Sequence, residues 1–170
     1  TYFTASGEYA YGYVKNWDVS SVTDMSNLFQ GYNTFNEDVS GWDVSEVTDM
    51  SGLFAGCNEF DRNLTNWNVQ KVTTMNSMFK DCSRFNGDIE WNVSNVSNMA
   101  NMFNGGGAFN YDISGWNVAN VTTFDNMFTN ASSFNHDLTP WNISGSYTDI
   151  FAGCSALDQY IYWYRLPDVG

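Results

Sequence analysis

Six tryptophans set the frame of this chain. Trp17, Trp42, Trp67, Trp91, Trp116 and Trp141 follow one another at intervals of 25, 25, 24, 25 and 25 residues. Phe29, Phe54, Phe79, Phe103, Phe128 and Phe151 form a second series in the same register. Phe35, Phe60, Phe85, Phe109, Phe134 and Leu157 form a third. Self-similarity at such a period means an array in which each repeat is one coil stacked on the next, because one coil cannot bury its own apolar face. The 24-residue step has a local cause: Ile89-Glu90-Trp91 is one residue shorter than Val39-Ser40-Gly41-Trp42. The sixth copy is shortened too, with 23 residues from Phe128 to Phe151. Trp163 follows Leu157 by six residues, as Trp91 follows Phe85, so the tail reads as an incomplete seventh coil.

Within one copy, Val39, Trp42, Val44, Val47, Met50, Leu53 and Phe54 carry the apolar pattern. Its opening follows the leucine-rich-repeat template L-x-x-L-x-L, with Trp in the middle site. Gly41-Trp42-Asp43-Val44-Ser45 alternates polar and apolar, which predicts a short parallel strand with Trp and Val pointing inward. Met50, Leu53 and Phe54 have the spacing of one helical or 3₁₀ turn. The expected fold is a leucine-rich-repeat-like right-handed solenoid with a short strand and a short helical or 3₁₀ turn per copy. Residues 1–16 would be an N-terminal cap and partial first coil, 17–157 the six repeats, and 158–170 an aromatic partial seventh coil and cap.

The words W-[DN]-V-S-x-V-T-x-M-x-x-[LM]-F-x-x-C-x-x-F-N-x-D-[VIL] resemble the BspA-like surface-protein repeat, also described from mycoplasma lipoproteins. The resemblance runs from about Val14 to Leu157. It implies an extracellular or cell-surface protein associated with adhesion or protein binding, and it implies no catalytic residues. The tail Tyr160-Ile161-Tyr162-Trp163-Tyr164 departs from the repeat by its excess of aromatic residues.

Charge narrows the partners. The net charge is -13, whereas nucleic acid phosphates and anionic membrane surfaces both call for a basic patch. No apolar run reaches the ~20 residues of a membrane span. A protein partner, neutral or basic, or a cation fits better. The chain opens at Thr1 without Met, which reads as a processed form or a fragment; an extracellular, cell-surface or other non-cytosolic location is expected.

Two outward polar rows are candidate binding strips. The first is Asp18, Asp43, Asn68, Asn92, Asn117 and Asn142. It reads either as a side-chain ladder that bonds to itself or as a recognition strip. Four neutral amides argue against metal along the whole row and leave calcium only at the Asp18/Asp43 end. The second is Thr23, Thr48, Thr73, Ser97 and Thr122. It reads either as caps for the turn near Met50 or as the regular hydroxyl array of an ice-binding surface. Asp24 and Asp49 place charges beside that array. Cys57, Cys82 and Cys154 occupy equivalent positions and read as small buried fillers, with parallel vectors that disfavour a disulfide. His136 falls at a variable turn position, and no nucleophile elbow, phosphate loop or zinc spacing occurs. The Asn-x-Ser/Thr sites, at Asn63, Asn92 and elsewhere, arise largely from the repeat itself.

In the tail, alternation places Ile161 and Trp163 against the last coil and turns Tyr160, Tyr162 and Tyr164 outward, which reads either as a simple cap of the last coil or as an interface for a partner chain. The expected function is a non-catalytic interaction protein, either a surface binding module or an accessory subunit of a larger assembly, with no cofactor. An ice or regular-surface binder is the alternative, and a calcium-dependent adhesin module the third reading.

Overall fold

The computed structural model describes residues 13–164. The aromatic series form ladders along a stack of coils. Trp42 and Trp67 lie 6.5 Å apart with rings parallel to within 1°, and Phe54 and Phe79 lie 5.6 Å apart. Inside each coil the two Phe of the second and third series also stack, Phe54 on Phe60 at 4.0 Å and Phe79 on Phe85 at 3.9 Å. Offset stacks of this kind add about 0.5–1.5 kcal/mol per pair beyond the burial of their area. The Val, Met and Leu positions join them in one continuous core. From Trp42 onward each indole ties its coil to the one before: Trp42, Trp67 and Trp91 Nε1 donate to the carbonyls of Val14, Val39 and Leu64.

The expected strand and the expected helical turn are both absent among the described residues. The one helical element there is a 3₁₀ turn at Val14–Asn16. Strand-like pairing is limited to five isolated parallel bridges, Asp24 to Asp49 and onward to Ser146, and these lie away from the Trp-x-Val segment. The leucine-rich-repeat-like reading is therefore overturned. Its failure has a local cause. Trp42 N–H donates to Val39, Val47 N–H to Val44, and Ser45 N–H to the side chain of Asp43. Donors that a strand would offer to its neighbour are spent on turns inside the coil, the competition that Asp, Asn and Ser regularly pose to secondary structure.

The Met50–Phe54 segment fails to be helical for a different reason. Its N–H groups alternate in direction. Met50, Gly52, Phe54 and Gly56 donate to the carbonyls of Thr74, Asn76, Met78 and Lys80 in the next coil. Leu53, Ala55 and Cys57 donate three residues back, to Met50, Gly52 and Phe54. A helix would send every N–H along its own axis. Alternation instead requires left-handed residues, and Gly52 has φ +61° and Gly56 +76°. In other coils Asn27, Asn101, Asn126, Asp81 and Asn130 take these places, the residue types that tolerate αL at least cost. The edge so formed is fully bonded between its ends: the N–H groups of Met50, Gly52, Phe54 and Gly56 point toward the C-terminal coils, while at its start Thr48 and Thr73 N–H donate back to Thr23 and Thr48.

The shortened copies bend this pattern locally. In the sixth coil the bridge from Thr123 reaches Ser146, and Trp141 tilts by 34° and 36° against Phe124 and Phe128 rather than lying parallel. Residues 1–12 of the expected N-terminal cap and 165–170 of the expected C-terminal cap lie outside the described residues.

Candidate functional site

The polar rows turn out to be fastenings. In the Asp18 row the side chains do not bond to one another across coils. Asp18, Asp43, Asn68, Asn92 and Asn117 each accept, on Oδ1, the N–H two residues on: Ser20, Ser45, Gln70, Ser94 and Ala119. Each is an Asx turn that closes one corner of its coil. The same device recurs at Asp24 and Asp49, which accept from Ser26 and Ser51, and at Asp38, Asp112 and Asp137. The self-bonding ladder is thus corrected to a series of local turns. Asn142, in the shortened sixth coil, sits exposed beside Pro140 and Ser144.

The hydroxyl row has another task. Thr48, Thr73, Ser97 and Thr122 Oγ donate to the carbonyls of Thr23, Thr48, Thr73 and Ser97, at 3.0–3.1 Å. These side chains are exposed at the surface, but their protons reach back to the preceding coil rather than capping a turn.

A third row went unread in the sequence. Asn36, Asp61, Asn86, Asn110 and Asn135 accept, on their side-chain oxygens, the N–H of the equivalent residue one coil on: Asp61, Asn86, Asn110, Asn135 and Asp158. The signal was present as the invariable Asn or Asp after each member of the third aromatic series. Beside it, Arg62 donates to the Asn36 carbonyl, and His136 Nε2 lies 2.8 Å from the Asn110 carbonyl. His136 is therefore a strut between coils, with Asp112 3.9 Å from its Nδ1.

The carboxylates of the Asx turns carry a pH consequence. Hydrogen bonds from the Ser20 hydroxyl and amide hold Asp18 below its ordinary value of 3.8, and Ser40 does the same for Asp38. A carboxylate depressed in the folded state stabilises that state above the unfolded value, and the contribution is lost as pH falls through the folded value. The melting temperature is expected to stay level from neutral pH to about 3.8 and to fall below it. Replacing Asp38 by Asn, which keeps the acceptor without the titration, should flatten part of that fall in a series of circular-dichroism melts.

The three thiols are free. Cys57, Cys82 and Cys154 Sγ donate to the carbonyls of Phe29, Phe54 and Phe128. Burial pushes Cys57 up to about 12 and Cys154 to about 11, and raises Cys82 as well. Such thiols are inert, because the thiolate is the nucleophile. Cys57 and Cys82 are expected to react with a thiol reagent only as the chain unfolds. Cys154, half-buried near the end, should react sooner. Labelling followed by mass spectrometry across a denaturant series reads the order.

Among the described residues no group of three or more His, Cys, Asp and Glu side chains could hold a metal ion. Asp18 and Asp43 are close enough to feel one another, yet each already binds its own serine. What stands outside this fabric is a pair of side chains in the tail, those of Tyr160 and Tyr162. Tyr160 and Tyr162 are 85% and 77% exposed, while Ile161 is buried and Trp163 packs on the last coil with its Nε1 donating to Leu138. Tyr164 departs from the expected alternation: it turns in, edge-on to Phe151 at 5.0 Å. No helix among the described residues is long and apolar enough to cross a membrane.

No curated protein and no solved structure matches the chain. A family described as "Mycoplasma protein of unknown function, DUF285" matches it twice, over residues 1–91 and over 89–164.

Proposed function

We propose, for a chain that belongs to the DUF285 family, a non-catalytic interaction role: a surface or extracellular binding module of the BspA-like kind, or an accessory subunit docked on a larger assembly. The observation that carries this reading is the division of labour among side chains. The rows that repeat are spent on backbone groups of their own or neighbouring coils. The side chains of Tyr160 and Tyr162 are spent on nothing comparable, and both stand exposed in the tail. Tyrosine combines a large apolar face with a hydroxyl at little entropic cost, which makes it a frequent anchor of protein interfaces.

The regular-surface alternative loses support, because each hydroxyl of the Thr23 row after the first donates inward to a carbonyl. The calcium reading loses support in the same way, since Asp18 and Asp43 are engaged in turns.

Gentle isolation from the source and measurement of native mass is the test. A complex well above the 19.2 kDa of the chain, lost when Tyr160 and Tyr162 are both changed to Ser, supports docking through the tail. A particle of single-chain mass that is unaffected by the double change refutes it.

A further inference from the structure

The sixth coil lacks a corner that the fifth has. The path from Trp to the bridged residue takes seven residues in the fifth coil, Trp116 to Thr123, and five in the sixth, Trp141 to Ser146. The turn of Val118-Ala119-Asn120-Val121, closed by Val121 N–H on the Val118 carbonyl, has no counterpart there. In its place is a notch of about 290 Å³, lined by Trp116, Val118 and Pro140 together with the polar Asn117, Asn142 and Ser144.

Asn142-Ile143-Ser144 is also one of six Asn-x-Ser/Thr sequences, and the structure separates it from the other five. Asn95 and Asn120 Nδ2 donate at 2.7 Å to the carbonyls of Gln70 and Ser94. Asn63 and Asn92 Oδ1 accept the N–H groups of Asp88 and Ser94. Asn130 is held at φ +60°, and the Ser132 hydroxyl two residues on donates to the Gly107 carbonyl. The side chains of Asn142 and Ser144 are exposed and make no hydrogen bond with a described residue.

We infer that Asn142 is an N-glycosylation site and that the first sugar of its glycan seats in the notch. The inference rests on the extracellular placement proposed above, because the transferase and its donor act on secreted chains. In the transfer, Asn142 Nδ2 attacks the anomeric carbon of a lipid-diphosphate-linked oligosaccharide. The Nδ2–C1 bond forms and the C1–O bond breaks. The lipid diphosphate leaves with the electron pair, and a carboxylate base of the transferase takes one amide proton. A sequon must turn both its amide and its hydroxyl to that enzyme, and of the six this one alone has both unengaged in the folded chain. The notch is close to the lower bound of small-molecule sites, ~300 Å³, which suits one pyranose ring. Trp116, Val118 and Pro140 take the apolar C–H face of such a ring, and the Asn117 amide can bond its hydroxyls.

The full chain, secreted from a glycosylating host, is treated with peptide-N-glycosidase in heavy-oxygen water, and its peptides are mapped by mass spectrometry. Label is expected at Asn142 and not at Asn95, Asn120 or Asn130. Ser144→Ala should abolish it; that hydroxyl bonds to no described residue, so the variant is expected to fold. The seat is read separately. Protein trimmed enzymatically to the innermost sugar should melt about 2 °C above the sugar-free Ser144→Ala chain. Equal melting of the two would overturn the seat. An unlabelled Asn142, or equal label at Asn95 and Asn120, would overturn the site and leave the extracellular placement standing. Label at Asn142 in the host, with a bare Asn142 in protein isolated from the source, would overturn the modification and that placement together.

Discussion

Phe79→Ala is expected to lower the free energy of unfolding by about 4 kcal/mol. Phe79 is completely buried, and its closest stacking partners are Phe85 at 3.9 Å in its own coil, Phe54 at 5.6 Å in the coil before and Phe103 at 5.7 Å in the coil after. Truncation removes the ring's transfer free energy and leaves a cavity. The cavity cannot collapse easily, because the neighbouring rings are fixed by main-chain bonds on either side of it, Phe54 N–H to Met78 and Phe79 N–H to Met102. Position along the stack should matter. Phe151 has a second-series neighbour on one side alone, Phe128 at 5.6 Å, and retains 6% exposure. Its replacement by Ala is expected to cost about 2 kcal/mol, since less is removed and the end can close. Urea titrations of both variants, followed by circular dichroism and fitted with a shared slope, give the comparison. Equal losses at the two sites would mean that the coils do not derive their stability from both neighbours.

Gly87→Ala is the second large effect, about 3 kcal/mol, from the addition of one methyl group. A Cβ at Gly87 would lie 2.3 Å from the Arg62 carbonyl oxygen and 2.8 Å from its carbon. Both are backbone atoms, so no side-chain rotation relieves the clash. Tyr111 and His136, the equivalents of Gly87 in the next two coils, carry full side chains. The close approach sits beside the bond from Leu64 N–H to the Asp88 carbonyl, just before the shortened connection to Trp91. Gly115 is the control: a Cβ there meets nothing within 4 Å, and Gly115→Ala should change stability by no more than about 0.5 kcal/mol. Chemical denaturation again decides, and a Gly87 variant as stable as the Gly115 variant would remove the close approach as an explanation.

The core was legible because burial leaves a periodic mark. The Trp and Phe series announce themselves by spacing, and the structure buries Trp42, Phe54 and Phe60 at their places in each coil. The backbone that carries them was not legible from the same pattern. Trp42-Asp43-Val44 alternates as a strand does, but whether Asp43 leaves its neighbours' N–H groups free for pairing depends on its own rotamer and hydrogen bond. Met50, Leu53 and Phe54 have helical spacing, yet Gly52 at φ +61° reverses the chain between them. Apolar periodicity reports which side chains face inward and says little about the dihedral path between them. The Asn36 row was hidden differently: its residues are those of ordinary turns, and only the coil-to-coil geometry turns Asn86 from a turn former into an acceptor for Asn110. Tyr164 escaped because alternation fails where the tail turns, with its N–H returning to Ile161.

Four forward bonds per coil, those of Met50, Gly52, Phe54 and Gly56 and their equivalents, outnumber the backward bond at Thr48 and give that edge an electrical sense. Peptide groups that donate forward and accept from behind, from Met25 through Asn130, align their dipoles along the stack axis as they do along a helix. The negative pole falls at the first coil, on the side where Asp24 already stands, and the positive pole at the last, among the N–H groups around Phe151. A protein with no helix of more than three residues among those described therefore carries a macrodipole along one edge, and it would present a different pole to a charged surface according to which end approached first.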